Sequence, residues 1–126
     1  MARRRISAEA GRSSVLHWQS GDADRTTVAT AVRYLLEELA EVTPGNSVEV
    51  RVPPFGVTQC VQGPSHSRGT PPNVVEIAPQ VWLELATGMT SWAAAAEAGL
   101  ISASGTRADL SAHLPLMSGP RAGHPD

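Results

Sequence analysis

Between Asp24 and Glu41 the apolar residues Val28, Ala29, Val32, Leu35, Leu36, Leu39 and Ala40 recur at helical spacing. They draw one broad stripe along a helix. Arg25, Arg33, Glu37, Glu38 and Glu41 lie mostly off the stripe and read as a solvated face. Asp24 can cap the helix start, and Pro44-Gly45 stops it. An earlier helix is predicted from Ser7, as cap, toward Ser20. Its apolar positions are Ala10, Val15, Leu16 and Trp18, and Gly21 ends it.

The period then changes to two. Val48, Val50 and Val52 alternate with Glu49 and Arg51, the pattern of a strand with one buried face. Pro53-Pro54 cannot donate to a ladder, so pairing stops there or lies on an edge. Phe55-Gly56 turns the chain. Val57 to Gln62 alternates again, which predicts an antiparallel hairpin. Gly63 to Pro72 is a polar loop, and Asn73 to Ile77 a third strand. Pro79 suits the first position of a helix, where its missing N–H costs nothing. Thr90 is the expected cap of the next helix, and Leu100 to Ser104 the fourth strand. Thr106-Arg-Ala-Asp109 has the form of a capping box, which predicts a last helix ended by Pro115. Gly88, Gly99 and Gly105 each close a short segment. Residues 118–126 are expected to be a disordered tail on a single domain spanning 1–117. Helices and strands are segregated along the chain. The fold class this implies is α+β, a mostly antiparallel sheet of about four to five strands covered by helices on one face.

Composition narrows the function classes. A chain of 126 residues can bury a real core without staples. A net charge of -2 removes the electrostatic footprint of a nucleic-acid binder. One cysteine, Cys60, excludes an internal disulfide and suits a reducing compartment. Arg3, Arg4 and Arg5 head the chain, but no apolar run follows them, and no stretch approaches the ~20 apolar residues of a spanning helix. The expectation is a cytoplasmic protein with no stable membrane insertion.

Candidate chemistry is sparse. A tetrahedral zinc site needs three or four N/S ligands at repeating spacings, and one cysteine with four scattered histidines does not supply them. Neither G-x-G-x-x-G nor G-x-x-x-x-G-K-[ST] occurs, so no nucleotide cofactor is expected. Cys60 reads as a buried structural thiol. A Cys60–His66 nucleophile pair would need an orienting group and an oxyanion pocket that the sequence does not display. The loop from His66 to Asn73 is the best polar site. Arg68 offers a fork suited to a carboxylate or phosphate, with the N–H groups of Gly69 and Thr70 beside it. The competing reading is a stiff loop in which Arg68 pairs with Glu49 or Glu76. Arg51 either converges with Arg68 or is a solvated strand residue. Trp82 and Trp92 are either core residues or walls of an apolar pocket that needs a polar handle.

The residues from Val75 to Leu116 resemble the sterol carrier protein superfamily. The matching positions are Trp82, Leu85, Gly88, Ser91, Gly99, Gly105, Leu110 and Leu114. The runs Val28-Ala-Thr-Ala-Val-Arg-Tyr-Leu-Leu-Glu-Glu-Leu, Arg51-Val-Pro-Pro-Phe-Gly and Arg68-Gly-Thr-Pro-Pro-Asn-Val-Val-Glu look closer still to a small actinobacterial sterol-carrier-like branch. The Ala-Val-Arg-x-Leu-Leu helix is also similar to the C-terminal domain of mycothiol-dependent maleylpyruvate isomerase-like proteins. The resemblance implies a sheet covered by helices around an apolar cavity that holds lipids, fatty acyl chains or acyl-CoA, without covalent chemistry. Its lining would be Leu35, Leu36, Leu39, Trp82, Leu85, Trp92, Leu110 and Leu114, with Arg68 at an acidic headgroup. The rival expectation is a protein–protein interaction or accessory module with a filled core and no ligand. An enzyme comes third, and would need a polar cleft around His66, Arg68 and Cys60.

Overall fold

The structure is a computed structural model and describes residues 6–63 and 73–117. The expected tail and most of the His66–Asn73 loop lie outside the described residues. In chain order the elements are α1 (Ala8–Gln19), α2 (Arg25–Val42), β1 (Val48–Val52), β2 (Gly56–Cys60), β3 (Asn73–Ile77), α3 (Pro79–Ala86), α4 (Trp92–Glu97), β4 (Ile101–Ser104) and a 3-10 turn at Ser111–His113. This is an α+β fold.

The helix starts follow their caps. Ser7 Oγ accepts from the Ala10 N–H at 3.1 Å, and Asp24 Oδ2 accepts from the Thr26 N–H at 3.1 Å. Pro79 stands in the first turn of α3. For α4 the cap is Ser91, whose Oγ accepts from the Ala94 N–H at 3.0 Å, and not the expected Thr90. On α1 the buried residues are Gly11, Val15 and Trp18, whereas the expected Leu16 is half exposed and Ala10 is exposed. Helix α2 buries more than its predicted stripe, because α1 covers a second side of it. Ala31 and Tyr34 are buried there, and the Tyr34 ring lies where a side chain at Gly11 would stand.

The sheet has four strands in the order β2-β1-β3-β4. Two of its pairings are antiparallel, β1 with β2 and β3 with β4, while β1 and β3 are parallel. The sheet is therefore mixed. The register explains why. Strand β2 ends with Cys60 opposite Val48, and β3 begins with Asn73 opposite the same Val48. The chain leaves one flank of β1 and re-joins the other flank at the same level. It crosses two strand spacings, about 10 Å, which twelve residues span easily.

Val48, Val50, Val52, Cys60, Val75 and Ile77 are buried on one face of the sheet. Together with α2 and α3 they form one core cluster. Glu49, Arg51, Val57, Val74 and Glu76 lie on the other face.

The predicted last helix is absent, and only the short 3-10 turn forms. One of its start signals, Asp109, is engaged elsewhere, and the backbone before it is tied to β3. The Arg107 N–H donates to Asn73 Oδ1 at 2.8 Å, and Asp109 Oδ1 accepts from the Ser111 N–H at 2.8 Å, two residues ahead. Such a local side-chain bond competes with helix formation. Asn73 is buried, and its Nδ2 also donates to the Ser47 carbonyl at 2.7 Å, so one side chain ties β3 to two loops.

Candidate ligand-binding cleft

Of the expected lining residues, Leu35, Leu39, Trp82, Leu85 and Leu110 are all at most 1% exposed, and they lie in one contiguous cluster. Trp82 reaches from α3 to α2, where its Nε1–H donates to the Val32 carbonyl at 3.4 Å. Leu36 is 3% exposed. Trp92 and Leu114 are half-buried and pack against the edge of the cluster. Arg68 and His66 lie outside the described residues.

Beside this cluster an open cleft of about 670 Å³ runs between α2 and the start of β2. Helix α2 supplies Thr30, Arg33, Leu36 and Glu37. The hairpin supplies Phe55, Gly56, Val57 and Thr58, and Ile6 also lines the cleft. Consecutive residues of β2 all line it, so the cleft follows the outer edge of the strand and not one face. Leu36 belongs both to the cleft wall and to the core cluster, so the two spaces abut. Gly56 keeps the floor low: a Cβ there would stand 3.1 Å from Leu36 Cδ1.

The polar groups of the cleft are anchored. Arg33 Nε–H donates to the Phe55 carbonyl at 2.7 Å, bracing the hairpin turn against α2. The Arg25 guanidinium lies 5.0 Å from the centre of the Phe55 ring, within cation–π range. Glu37 Oε1 accepts from the Ile6 N–H at 3.3 Å. The lining is mixed: Ile6, Phe55, Val57 and a nearly covered Leu36 stand among Thr30, Arg33, Glu37 and Thr58, and Arg25 lies over Phe55 outside that lining. Ile6, Arg33, Phe55 and Val57 were not among the residues singled out from sequence. Arg33 read as solvated helix face and Phe55-Gly56 as a turn. The available signal was the Pro-Pro-Phe-Gly run, which places an aromatic ring in a turn.

Elsewhere the candidate chemistry resolves into structural roles. Arg51 Nε–H donates to Glu49 Oε2 at 2.6 Å on the open face of the sheet, and Gln59 Nε2 reaches Glu49 Oε1 at 3.4 Å. Asp109 is held below the usual carboxylate range by the Ser111 backbone hydrogen bond first and its side-chain hydrogen bond second. Among the described residues no three of His, Cys, Asp and Glu gather as a metal site would require.

Cys60 is fully buried, and loss of hydration pushes its thiol from 9.0 up to about 12. A thiol at that value is not a nucleophile at neutral pH. The thiol is expected to stay unlabelled by an aromatic disulfide reagent at pH 8 until denaturant is added. Its folded value is raised, so its contribution is fully present below about pH 9 and is lost as pH rises toward about 12. Urea midpoints of the wild type should fall more steeply over that window than those of Cys60→Ala.

The chain is thus a helix-covered α+β domain with a cleft of mixed lining at its sheet edge. The family profile described as bacterial SCP ortholog matches residues 24–116, and the chain belongs to this sterol carrier protein-like family. Helix α1 precedes the matched stretch. None of the curated proteins matches the chain. Among the described residues no helix is long and apolar enough to cross a membrane.

Proposed function

We propose that this protein is a non-catalytic binding module for a hydrophobic ligand of the lipid, fatty acyl or acyl-CoA type, working in the cytoplasm. The observation that carries the reading is the α2–β2 cleft, in which Ile6, Phe55 and Val57 stand beside Arg33 and which abuts the core through Leu36. An acyl tail lies along Ile6, Leu36, Phe55 and Val57, and an acidic headgroup sits toward Arg33 and Arg25. Each methylene removed from water contributes roughly 0.8 kcal/mol. Ten of them supply about 8 kcal/mol, which is micromolar affinity before ordering costs and weaker after them. Membership of a sterol carrier protein-like family supports the same ligand class.

The test is titration with a fluorescent fatty acid. The wild type should bind saturably with a Kd in the micromolar range. Val57 is 58% exposed, so Val57→Asp leaves the fold intact and should weaken binding at least tenfold by placing a carboxylate in the cleft. Absence of saturable binding up to about a hundred times the micromolar range would contradict the proposal.

A second reading has its own support. Leu35, Leu39, Trp82 and Leu110 are packed against one another at 0% exposure, which suits a protein–protein interaction or accessory module with a filled core. Under that reading neither the wild type nor any cleft variant binds an acyl chain.

A further inference from the structure

Among the described residues, the lining of the α2–β2 cleft holds a single cation, Arg33, and a single anion, Glu37, which follows it by one helical turn on the same side of α2. Arg33 is exposed, yet its guanidinium is not free to swing. Its Nε–H donates to the Phe55 carbonyl at 2.7 Å, and that bond fixes the plane of the fork. The two terminal nitrogens make no other hydrogen bond or ion pair among the described residues. A planar guanidinium anchored in this way presents its remaining N–H groups as a two-pronged donor, the shape a carboxylate accepts. Charge then separates one acid from another. One guanidinium balances one negative charge. A phosphate monoester carries about two at neutral pH, and a CoA ester carries several. The surplus would stand beside Glu37, on a helix that also bears Glu38 and Glu41, in a protein of net charge -2. Like charges repel more strongly in a partly covered site than in open water. Arg25 does not make up the difference, because its guanidinium lies over the Phe55 ring and outside the lining.

We propose that Arg33 sets the headgroup specificity of this cleft, and that the ligand is a free carboxylic acid with one negative charge, not a phosphate ester or a CoA thioester. The inference rests on the acyl-binding reading of the cleft and narrows it. The carboxylate lies against the terminal nitrogens of Arg33, the Phe55 carbonyl holds the fork in place, and Glu37 opposes any second negative charge.

Calorimetric titration of the full chain with dodecanoate, methyl dodecanoate, dodecyl phosphate and dodecanoyl-CoA tests this, because the apolar chain is the same in all four. Dodecanoate should bind at least about tenfold more tightly than its uncharged methyl ester, the scale of one charge-assisted hydrogen-bonded pair. Dodecyl phosphate and dodecanoyl-CoA should bind about fivefold or more weakly than dodecanoate. Arg33→Gln should bring dodecanoate down to the level of the methyl ester and leave the ester within about twofold. Thermal melts accompany it, since Arg33 also braces the Phe55 carbonyl. Arg33→Lys keeps the charge without the planar fork, and should lower the ratio of dodecanoate to ester affinity about threefold. Glu37→Gln keeps an oxygen for the Ile6 N–H and removes the charge, so it should tighten dodecyl phosphate about fivefold and leave the ester unchanged. Equal binding of dodecanoate and its ester, tighter binding of dodecanoyl-CoA, or a preference that survives Arg33→Gln overturns the assignment and leaves the cleft an acyl site. If none of the four binds, the acyl-binding reading itself falls, and this inference with it.

Discussion

Truncating Trp82 to alanine is expected to remove about 3–5 kcal/mol of stability and to lower the melting temperature by more than 10 °C. The indole is completely buried, lies in the core cluster, and spans from α3 to the Val32 carbonyl of α2. Its loss removes apolar contact and leaves a cavity that rigid neighbours on both helices and on the sheet do not fill. Trp82→Phe keeps most of the volume and gives up the N–H bond, so it should cost about 1 kcal/mol beyond the change in packing. Trp92 is half-buried at the margin of the same cluster, and its truncation should cost less than half as much as that of Trp82. Urea denaturation followed by far-UV circular dichroism separates the three. A loss below 1 kcal/mol for Trp82→Ala would mean that the indole does not join α3 to α2.

The second large effect falls on a turn. Gly45→Ala is expected to cost about 2–4 kcal/mol, through two causes that add. Gly45 has φ +148, where a side chain is strained whatever the surrounding space, and a Cβ there would collide with the carbonyl group of Val61. That carbonyl cannot step aside. It accepts the Ser47 N–H at 3.1 Å and the Ser47 Oγ–H at 2.7 Å, and the Val61 N–H donates to the Thr43 carbonyl at 2.7 Å. These bonds hold Val61 itself at φ 67, an unusual conformation for a β-branched residue. The control is Gly21→Ala. Gly21 has φ +110, but nothing lies within 4 Å of its would-be Cβ. Only conformational strain acts there, about 1 kcal/mol. The difference between the two variants measures how firmly Val61 is clamped, and equal losses would show that it is not.

What the sequence disclosed is what depends on neighbours in the chain. Ser7 and Asp24 cap the helices they were expected to cap, Pro79 opens α3, and the alternation of Val48, Val50 and Val52 marks the buried face of β1. The parallel pairing of β1 with β3 depends on which flank of β1 the returning chain takes, and no local pattern encodes that choice. The last helix failed where the Asp109 carboxylate of its capping box turned to the Ser111 N–H, while a distant residue fixed the backbone before it. Arg107 N–H is held by Asn73, thirty-four residues away in sequence, a contact invisible to periodicity. The same limit applies to the site. Leucine and tryptophan positions with helical spacing were recognised as apolar, and Leu35, Leu36, Leu39, Trp82, Leu85 and Leu110 lie in the core cluster. The cleft joins α2 to a hairpin turn, so Arg33 and Phe55 meet only through tertiary structure.

In the proposed binding mode an acyl ligand lies along the α2–β2 cleft. Amide and indole chemical-shift mapping of isotopically labelled protein during a palmitate titration tests it most directly. Saturable shifts are expected at Arg33, Leu36, Gly56, Val57 and Thr58, with the Trp82 indole and the amides of β3 nearly still. A spectrum that palmitate leaves unchanged, or one in which only distant surface amides move without saturating, would contradict it.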